Sequence, residues 1–434
     1  MKILWLTETP SKYKPEEFGY NGRGWIESLQ SLLEKSTEID QIGIAFPHSS
    51  DSEKLTQGKV VYYPIKRVMP GNIVSWISSN WQYKIEHENE INALKVIVED
   101  FEPDVIHIFG TESWLCYAVE MTNKPCVVHL QGLLLPYLNA YIPVGISKFD
   151  LIKYNWIGYI KGISLLHHRR TFDKKSKREY KFFKEISFFM GRTKWDKSIS
   201  GFLSPKSIYF HVDEVLRDTF YTTVPWKYNK TNRILITSTL SDALYKGLDL
   251  VIKTASLLVK EKFEFEWRII GINNESKTAM LLKKVFNLDY SSLNIRLLGI
   301  KNPDEIIDLL SATTIYIHTS LIDNSPNSLC EAQIMGVPVI ATNVGGVSSL
   351  IEDGENGFLV PANDPYFLAS RIIQLVQNQD LMNNISIQAR EKAQKRHSKE
   401  KILNQLIQTY KDVAHGNTKR NSSTVKNLNS LINL

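Results

Sequence analysis

Asp323 and Glu331, with seven residues between them in the stretch IDNSPNSLCEA, are the acidic pair in this chain whose spacing most directly suggests chemistry. They flank the start of a helix that the sequence predicts to enter at Ser325-Pro326. Serine can cap orphan N–H groups and proline tolerates the first helical position. Such an end offers unpaired donors and partial positive charge, which suits the phosphates of a nucleotide-activated substrate. Asp323 then sits in a loop at the mouth of a cleft. Glu331, about one and a half turns inside the helix, shares a face with Asn327 and Met335 and points inward. A carboxylate there can accept two hydroxyl hydrogen bonds in parallel, as from the vicinal diol of a ribose or a sugar ring.

The elements that must position this pair read clearly from hydrophobic pattern. Thr314 to His318 and Val337 to Thr342 are apolar strands on either side of the helix, and a Gly345-Gly346 turn follows. Upstream, Arg233 to Ser238 is a strand leading to Lys246-Gly247, which precedes a helix whose Leu250, Val251, Thr254, Leu257 and Leu258 recur at helical spacing. Lys246 is therefore well placed for a diphosphate. Phe265 to Gly271 and Ile295 to Gly299 are further strands, each ending in glycine, and Pro303 to Leu310 is a short amphipathic helix.

The N-terminal half alternates strands (Ile3 to Thr7, Ile42 to Phe46, Val60 to Ile65, Val105 to Phe109, Cys126 to Leu130) with helical patterns. Such alternation predicts a parallel sheet covered by helices, with ligands at the strand ends. Gly22 and Gly24 precede a helix in the loop after the first strand, where backbone can approach a phosphate or simply turn. His107 lies inside a strand, with Gly110 and Glu112 at its end. It reads either as a satisfied core residue or as a catalyst. His129 and Gln131 end the next strand.

Taken together, these residues resemble the retaining glycosyltransferases of family 4, which carry an E-x7-E signature on the two-domain GT-B fold. G-V-P-V-I-A-T-N-V-G-G from Gly336, D-G-E-N-G-F-L-V from Asp353 and GRTKWDKS from Gly191 are similar to further family segments. The resemblance implies an α/β GT-B fold with two Rossmann-like domains whose parallel sheets face a central cleft. Residues 1–224, with a returning helix at about 395–415, would form the acceptor domain, and 225–394 the nucleotide-sugar domain. A polar tail at 416–434 would follow.

The resemblance further implies that Glu331 binds the ribose of a UDP- or GDP-sugar. Asp323, one methylene shorter than the family's first Glu, would contact the transferred sugar. Lys246 would neutralise the departing diphosphate without the family's Arg, since Thr239 stands in its place. His107 joins Asp323 and Lys246 as a catalytic candidate. Asn324, Ser325, Asn327 and Ser328 would contact the donor with Gly22, Gly24 and Gly271, the last beside the base pocket. His129, Gln131 and Glu112 fall to the acceptor side. Retention by front-face attack, with the diphosphate taking the acceptor proton, needs neither a metal nor a protein base. The acceptor would be a glycan or lipid-linked saccharide in bacterial capsule, lipopolysaccharide or exopolysaccharide synthesis. A binding-only relative and a sugar-nucleotide epimerase of the same fold are the alternatives.

Composition narrows the remaining classes. At 434 residues, with 43% hydrophobic and 23% charged residues, the chain predicts two or three ordinary globular domains. A net charge of +6 favours anionic partners but is small for nucleic-acid binding. No G-x-G-x-x-G follows the first strand, and no Walker A loop occurs, so dehydrogenase and triphosphatase readings are disfavoured. There is no D-x-D pair of the kind that holds a divalent cation. Three scattered cysteines suit free thiols in a reducing cytoplasm. The opening MKILWLTETP reads as a first strand rather than a signal peptide. Eight Lys or Arg between Arg169 and Lys184, with Phe172, Tyr180, Phe182 and Phe183 among them, read either as a solvated helix or as a contact with an anionic membrane or lipid diphosphate.

Overall fold

The runs KILWL, VIHIF and IYIH are apolar at nearly every position, the pattern of strands covered on both faces. The computed structural model, which describes residues 1–13, 24–49, 52–67, 88–228 and 233–416, places them at the centres of two sheets. The first sheet contains β1 (Lys2–Leu6), β2 (Gln41–His48), β3 (Leu55–Gln57), β4 (Val60–Lys66), β5 (Val105–Phe109), β6 (Cys126–His129), β7 (Phe188–Gly191) and β8 (Ile208–His211). Their order is β3-β4-β2-β1-β5-β6-β7-β8, parallel except where β3 pairs with β4. The second sheet contains β9 (Ile234–Thr239), β10 (Phe265–Ile270), β11 (Ile295–Gly299), β12 (Ile315–His318), β13 (Val339–Thr342) and β14 (Phe358–Val360). It is parallel throughout, in the order β11-β10-β9-β12-β13-β14. Gly22 and the tail beyond Gly416 lie outside the described residues, and Gly24 opens the helix Gly24–Leu33.

Helix starts follow local chemistry. Thr193 and Asp196 form a reciprocal capping box on Lys194–Leu203, and Asn302 and Glu305 form another on Pro303–Ser311. The helix Gln379–Arg396 packs on the second domain through Met382, Ile385 and Ala393. The next helix, Lys399–Ala414, returns to the first domain and buries Ile402, Leu406, Ile407, Tyr410 and Val413. At roughly 1.5–3 kcal/mol for each large apolar side chain removed from water, this face holds the helix in place.

Two features depart from a plain division of the chain at residue 224. Ile146 and Leu151 are buried in the second domain's core, and Lys253 Nζ donates to the Val144 carbonyl at 3.2 Å. The short helices Lys148–Tyr154 and Trp156–Ile160 thus form a strap that leaves the first domain and lies against the second. Leu216 and Phe220, also upstream of residue 224, are buried in the same second-domain core.

The domains are joined around Glu214, which is fully buried. Its Oε1 accepts from Ser325 Oγ at 2.8 Å and Cys330 Sγ at 3.0 Å, and its Oε2 lies 3.5 Å from Arg396 Nη2 and 3.9 Å from Arg192 Nε. Burial raises the cost of this charge, but the guanidiniums of Arg396 and Arg192 outweigh it and hold the carboxyl well below its ordinary range. Glu214→Ala should therefore lower unfolding stability in urea by about 3–5 kcal/mol, the loss typical of removing one partner from a buried ion pair. A loss under about 1 kcal/mol, the scale of one neutral hydrogen bond, would mean that the two arginines find other partners.

Candidate functional site

β12 ends at His318, and the chain then turns across the carboxyl ends of the second sheet, where α/β folds place their ligand crevice. The turn is held by Leu321 N–H donating to the Tyr245 carbonyl at 2.7 Å and by Thr319 Oγ1 donating to the Lys246 carbonyl at 3.1 Å. Asp323 is thereby set against Lys246, with Nζ 2.7 Å from Oδ2. His318 Nε2 lies 3.3 Å from the same oxygen, and Ser320 Oγ donates to it at 3.2 Å. Burial pushes the carboxyl's pKa up, but Lys246 and His318 more than offset it, so Asp323 stays ionised. Lys246 in turn has its pKa lowered by burial and raised further by Asp323, with a net upward shift. The pair is a fixed cation and anion at the floor of the cleft.

Glycine is required at two places here. A Cβ on Gly247 would lie 1.9 Å from the Thr319 carbonyl oxygen, and one on Gly345 would lie 2.0 Å from that of Asp323. Both residues have positive φ, 84° and 51°, so backbone approach and conformation demand the same residue type. Gly346 N–H donates to the Asp323 carbonyl at 3.0 Å, closing the Gly-Gly turn onto the acidic loop.

The helix begins at Asn327, with Pro326 as its N-cap and no side-chain cap. Ser325 does not cap it as the local sequence suggests, because its hydroxyl is drawn to the buried carboxylate of Glu214. The N-terminal N–H groups are left facing the cleft. Asn327 Oδ1 is buried without a hydrogen-bond partner, and Ser328 lies beside the Tyr316 hydroxyl. Glu331 points inward, but Arg217 takes Oε1 through Nε and Nη2, both at 2.7 Å. Oε2 accepts no hydrogen bond among the described residues. Burial outweighs Arg217 and leaves the Glu331 carboxyl above its ordinary pKa. The site thus offers one carboxylate oxygen to a diol, not two.

From the first domain, Tyr137 Oη donates to Asp323 Oδ1 at 3.3 Å. Asn324 bridges the domains, accepting from Thr193 Oγ1 at 2.7 Å and donating to Asp196 Oδ2 at 3.1 Å and to the Gln131 carbonyl at 3.3 Å. Gln131 therefore reaches the cleft, its Oε1 held by Arg192 Nη2 at 3.3 Å. Gly271, at the end of β10, approaches Leu240 so closely that a Cβ would lie 2.3 Å from its carbonyl oxygen. Glu112 folds over Gly110, its Oε2 buried and unpartnered, and burial with Glu179 and Glu8 nearby pushes its pKa up to about 8.

His107 belongs to a different constellation. Its Nδ1 lies 2.7 Å from Tyr410 Oη and its Nε2 3.2 Å from His129 Nδ1, and the ring stacks on Phe109 at 4.0 Å. Burial pushes its pKa down to about 3, so it is neutral and fixed to the returning helix. Its hydrogen bonds run to Tyr410 and His129, not to Asp323 or Lys246. His129 is likewise buried and faces Trp25. Sequence reasoning missed Tyr137, Glu214, Arg217 and His318. Only His318, at a strand's carboxyl end, carried a local signal.

Residues 222–392 match the family model described as glycosyl transferases group 1. The amylovoran biosynthesis glycosyltransferase AmsK of Erwinia amylovora is 27% identical over 188 residues, 42% of this chain and 45% of that protein. The chain spans about half the length of the curated relatives it matches. Among solved structures, the sucrose-phosphate synthase of Thermosynechococcus elongatus aligns with a TM-score of 0.70 at 12% identity, over 96% of this chain and 100% of that one. Anabaena HepE in complex with UDP and glucose aligns with a TM-score of 0.62 at 16% identity, over 94% and 99%. The described residues have the GT-B fold, and residues 222–392 are similar to the group 1 glycosyl transferases.

Proposed function

We propose that the chain transfers a hexosyl group, with retention of configuration, from a UDP- or GDP-sugar to a glycan or lipid-linked saccharide during cell-surface polysaccharide synthesis. The buried Lys246–Asp323 pair carries this reading. Lys246 has three donors and spends one on Asp323, which leaves two for the oxygens of a departing diphosphate. The N-terminus of the helix Asn327–Met335 adds partial positive charge on the same side. Charge that builds on the leaving group is then met by groups already in place, which lowers the barrier more than it strengthens ground-state binding. This chemistry calls for no metal, and the leaving diphosphate can take the acceptor proton. The Asp323 carboxylate reaches Lys246 despite its shorter side chain, which favours catalysis over a binding-only role. The UDP and glucose held by Anabaena HepE on the same fold support the donor class, and the amylovoran relative supports the pathway class.

A peripheral bilayer contact also fits, but at a different place from the basic stretch 169–184. Phe182 and Phe183 of the helix Leu165–Glu185 are buried in the first domain, which leaves Tyr180 as its exposed aromatic. Exposed apolar side chains gather instead on the strap: Phe149 is 70% exposed and Trp156 58%, with Ile157, Ile160 and Ile163 beside them in sequence. Lys148, Lys153 and Lys161 are exposed in the same segment. Among the described residues no helix is long and apolar enough to cross a membrane.

Lys246→Ala should lower kcat and weaken nucleoside diphosphate binding together by about 1.5–3 kcal/mol, the worth of one charge-assisted hydrogen bond. A defect confined to the acceptor's KM would contradict the assignment. Glu331→Ala should raise the donor KM at least about tenfold, equivalent to roughly 1.4 kcal/mol; unchanged donor kinetics would remove Glu331 from the site. Trp156→Asp combined with Ile160→Asp should abolish co-sedimentation with vesicles containing phosphatidylglycerol, and undiminished sedimentation would place the contact elsewhere.

A further inference from the structure

A cavity of about 350 Å³ lies between the helix Leu165–Glu185 of the first domain and the loop before Lys246 in the second. Tyr141, Phe172 and Tyr245 form aromatic walls, Lys175 and Lys277 line it with cations, and His168 adds an imidazole. None of these three has a hydrogen-bonded or ion-paired carboxylate partner among the described residues. Lys175 feels Glu8 and Glu112 only at a distance. The three groups are close enough to act on one another: burial first, then Lys277 and Lys175, lower the pKa of His168, which favours its neutral, hydrogen-bonding form. Asp242 also lines the cavity, but its carboxylate accepts the backbone N–H groups of Lys277 and Thr278 at 2.9 and 2.7 Å, so it is committed to the start of a helix. A net positive potential is left facing the space.

The aromatic wall continues from the cavity to the reacting centre. Phe172 packs on Tyr141 at 5.4 Å, Tyr141 on Tyr245 at 6.2 Å and Tyr245 on Tyr137 at 5.4 Å between ring centroids. Tyr137 then donates to Asp323. Aromatic faces suit the apolar faces of sugar rings, and unpaired lysines suit phosphate oxygens. We propose that this cavity binds a phosphorylated saccharide as acceptor, its phosphate held by Lys175, Lys277 and His168 and its sugar laid along Tyr141 and Tyr245 toward Asp323 and Lys246. The phosphate can belong to a free sugar phosphate or to the diphosphate of a lipid-linked saccharide. The chemistry is shared, and the inference rests on the glycosyl-transfer reading above.

The test is calorimetric titration of the full chain with glucose 1-phosphate, with decyl-diphosphate-glucose, with glucose, and with UDP and GDP. The wild type should bind at least one of the two phosphorylated probes and discriminate against glucose. Lys175→Ala/Lys277→Ala should weaken that binding at least tenfold, and Lys175→Arg/Lys277→Arg should largely restore it. UDP or GDP should bind the alanine variant as it binds the wild type, which also reports that the variant is folded, and should not displace the phosphorylated probe. Binding of glucose 1-phosphate alone identifies a free sugar phosphate, and binding of the decyl compound alone identifies a lipid-linked one. Equal affinity in wild type and alanine variant, displacement by the nucleotide, or no binding of either phosphorylated probe overturns the proposal. Failure of the wild type to bind UDP or GDP, with the phosphorylated probe still lost in the alanine variant, instead overturns the glycosyl-transfer reading.

Discussion

The structure depends on one buried carboxylate, Glu214, which has no access to solvent and touches three parts of the chain. Arg192 comes from the end of the first sheet, Arg396 and His397 from the junction of the last two helices, and Ser325 and Cys330 from the cleft helix. Two guanidiniums make the buried charge tolerable, and in exchange the carboxylate fixes where the second domain's acidic loop ends and its helix starts. A hydrophobic contact could hold the same elements together. It could not set the direction of the Ser325 hydroxyl, and with it the entry of the helix that faces the cleft. Buried polar groups of this kind restrict a fold to one arrangement when all their partners are satisfied.

The cleft pair inherits that order. Lys246 and Asp323 come from two different strand exits, β9 and β12, which are neighbours in the parallel sheet. Parallel strands put all their carboxyl ends on one side, so loops distant in sequence meet there without further design. The glycines at 247 and 345 let backbone close to van der Waals limits around the pair. Asn324, Thr193 and Asp196 then carry the link across to the first domain. Domain closure and charge placement are for that reason one geometric problem here.

How much of this was legible in the sequence varies with the range of the interaction that decides it. Strands such as VIHIF are set by their own apolar pattern, and their bounds agree with the pattern to within a residue or two. Lys246 and Asp323 stand out because each sits at the end of such a strand. The Thr193–Asp196 capping box is local and visible, and its bracing of the interface follows from its place after β7. Tertiary competition decides the rest. Ser325 has the sequence of a helix cap, yet a carboxylate about 110 residues upstream takes its hydroxyl. Glu331 looks free until Arg217 is brought beside it by the linker. His107 lies in an apolar strand, and its partner Tyr410, from the far end of the chain, carries no local signal beside it. Nothing in the apolar run LLPYLN marks Tyr137 as a partner of Asp323.

The helical excursion from Leu134 to Glu185 is where the chain departs most from two plain Rossmann halves. It supplies Tyr137 to Asp323, aromatic and basic walls to the interdomain cavity, and a strap whose Ile146 and Leu151 are held by the second domain. The strap's outer face carries the exposed Trp156 and Ile160. One continuous insertion therefore runs from the outer apolar surface to the acidic loop.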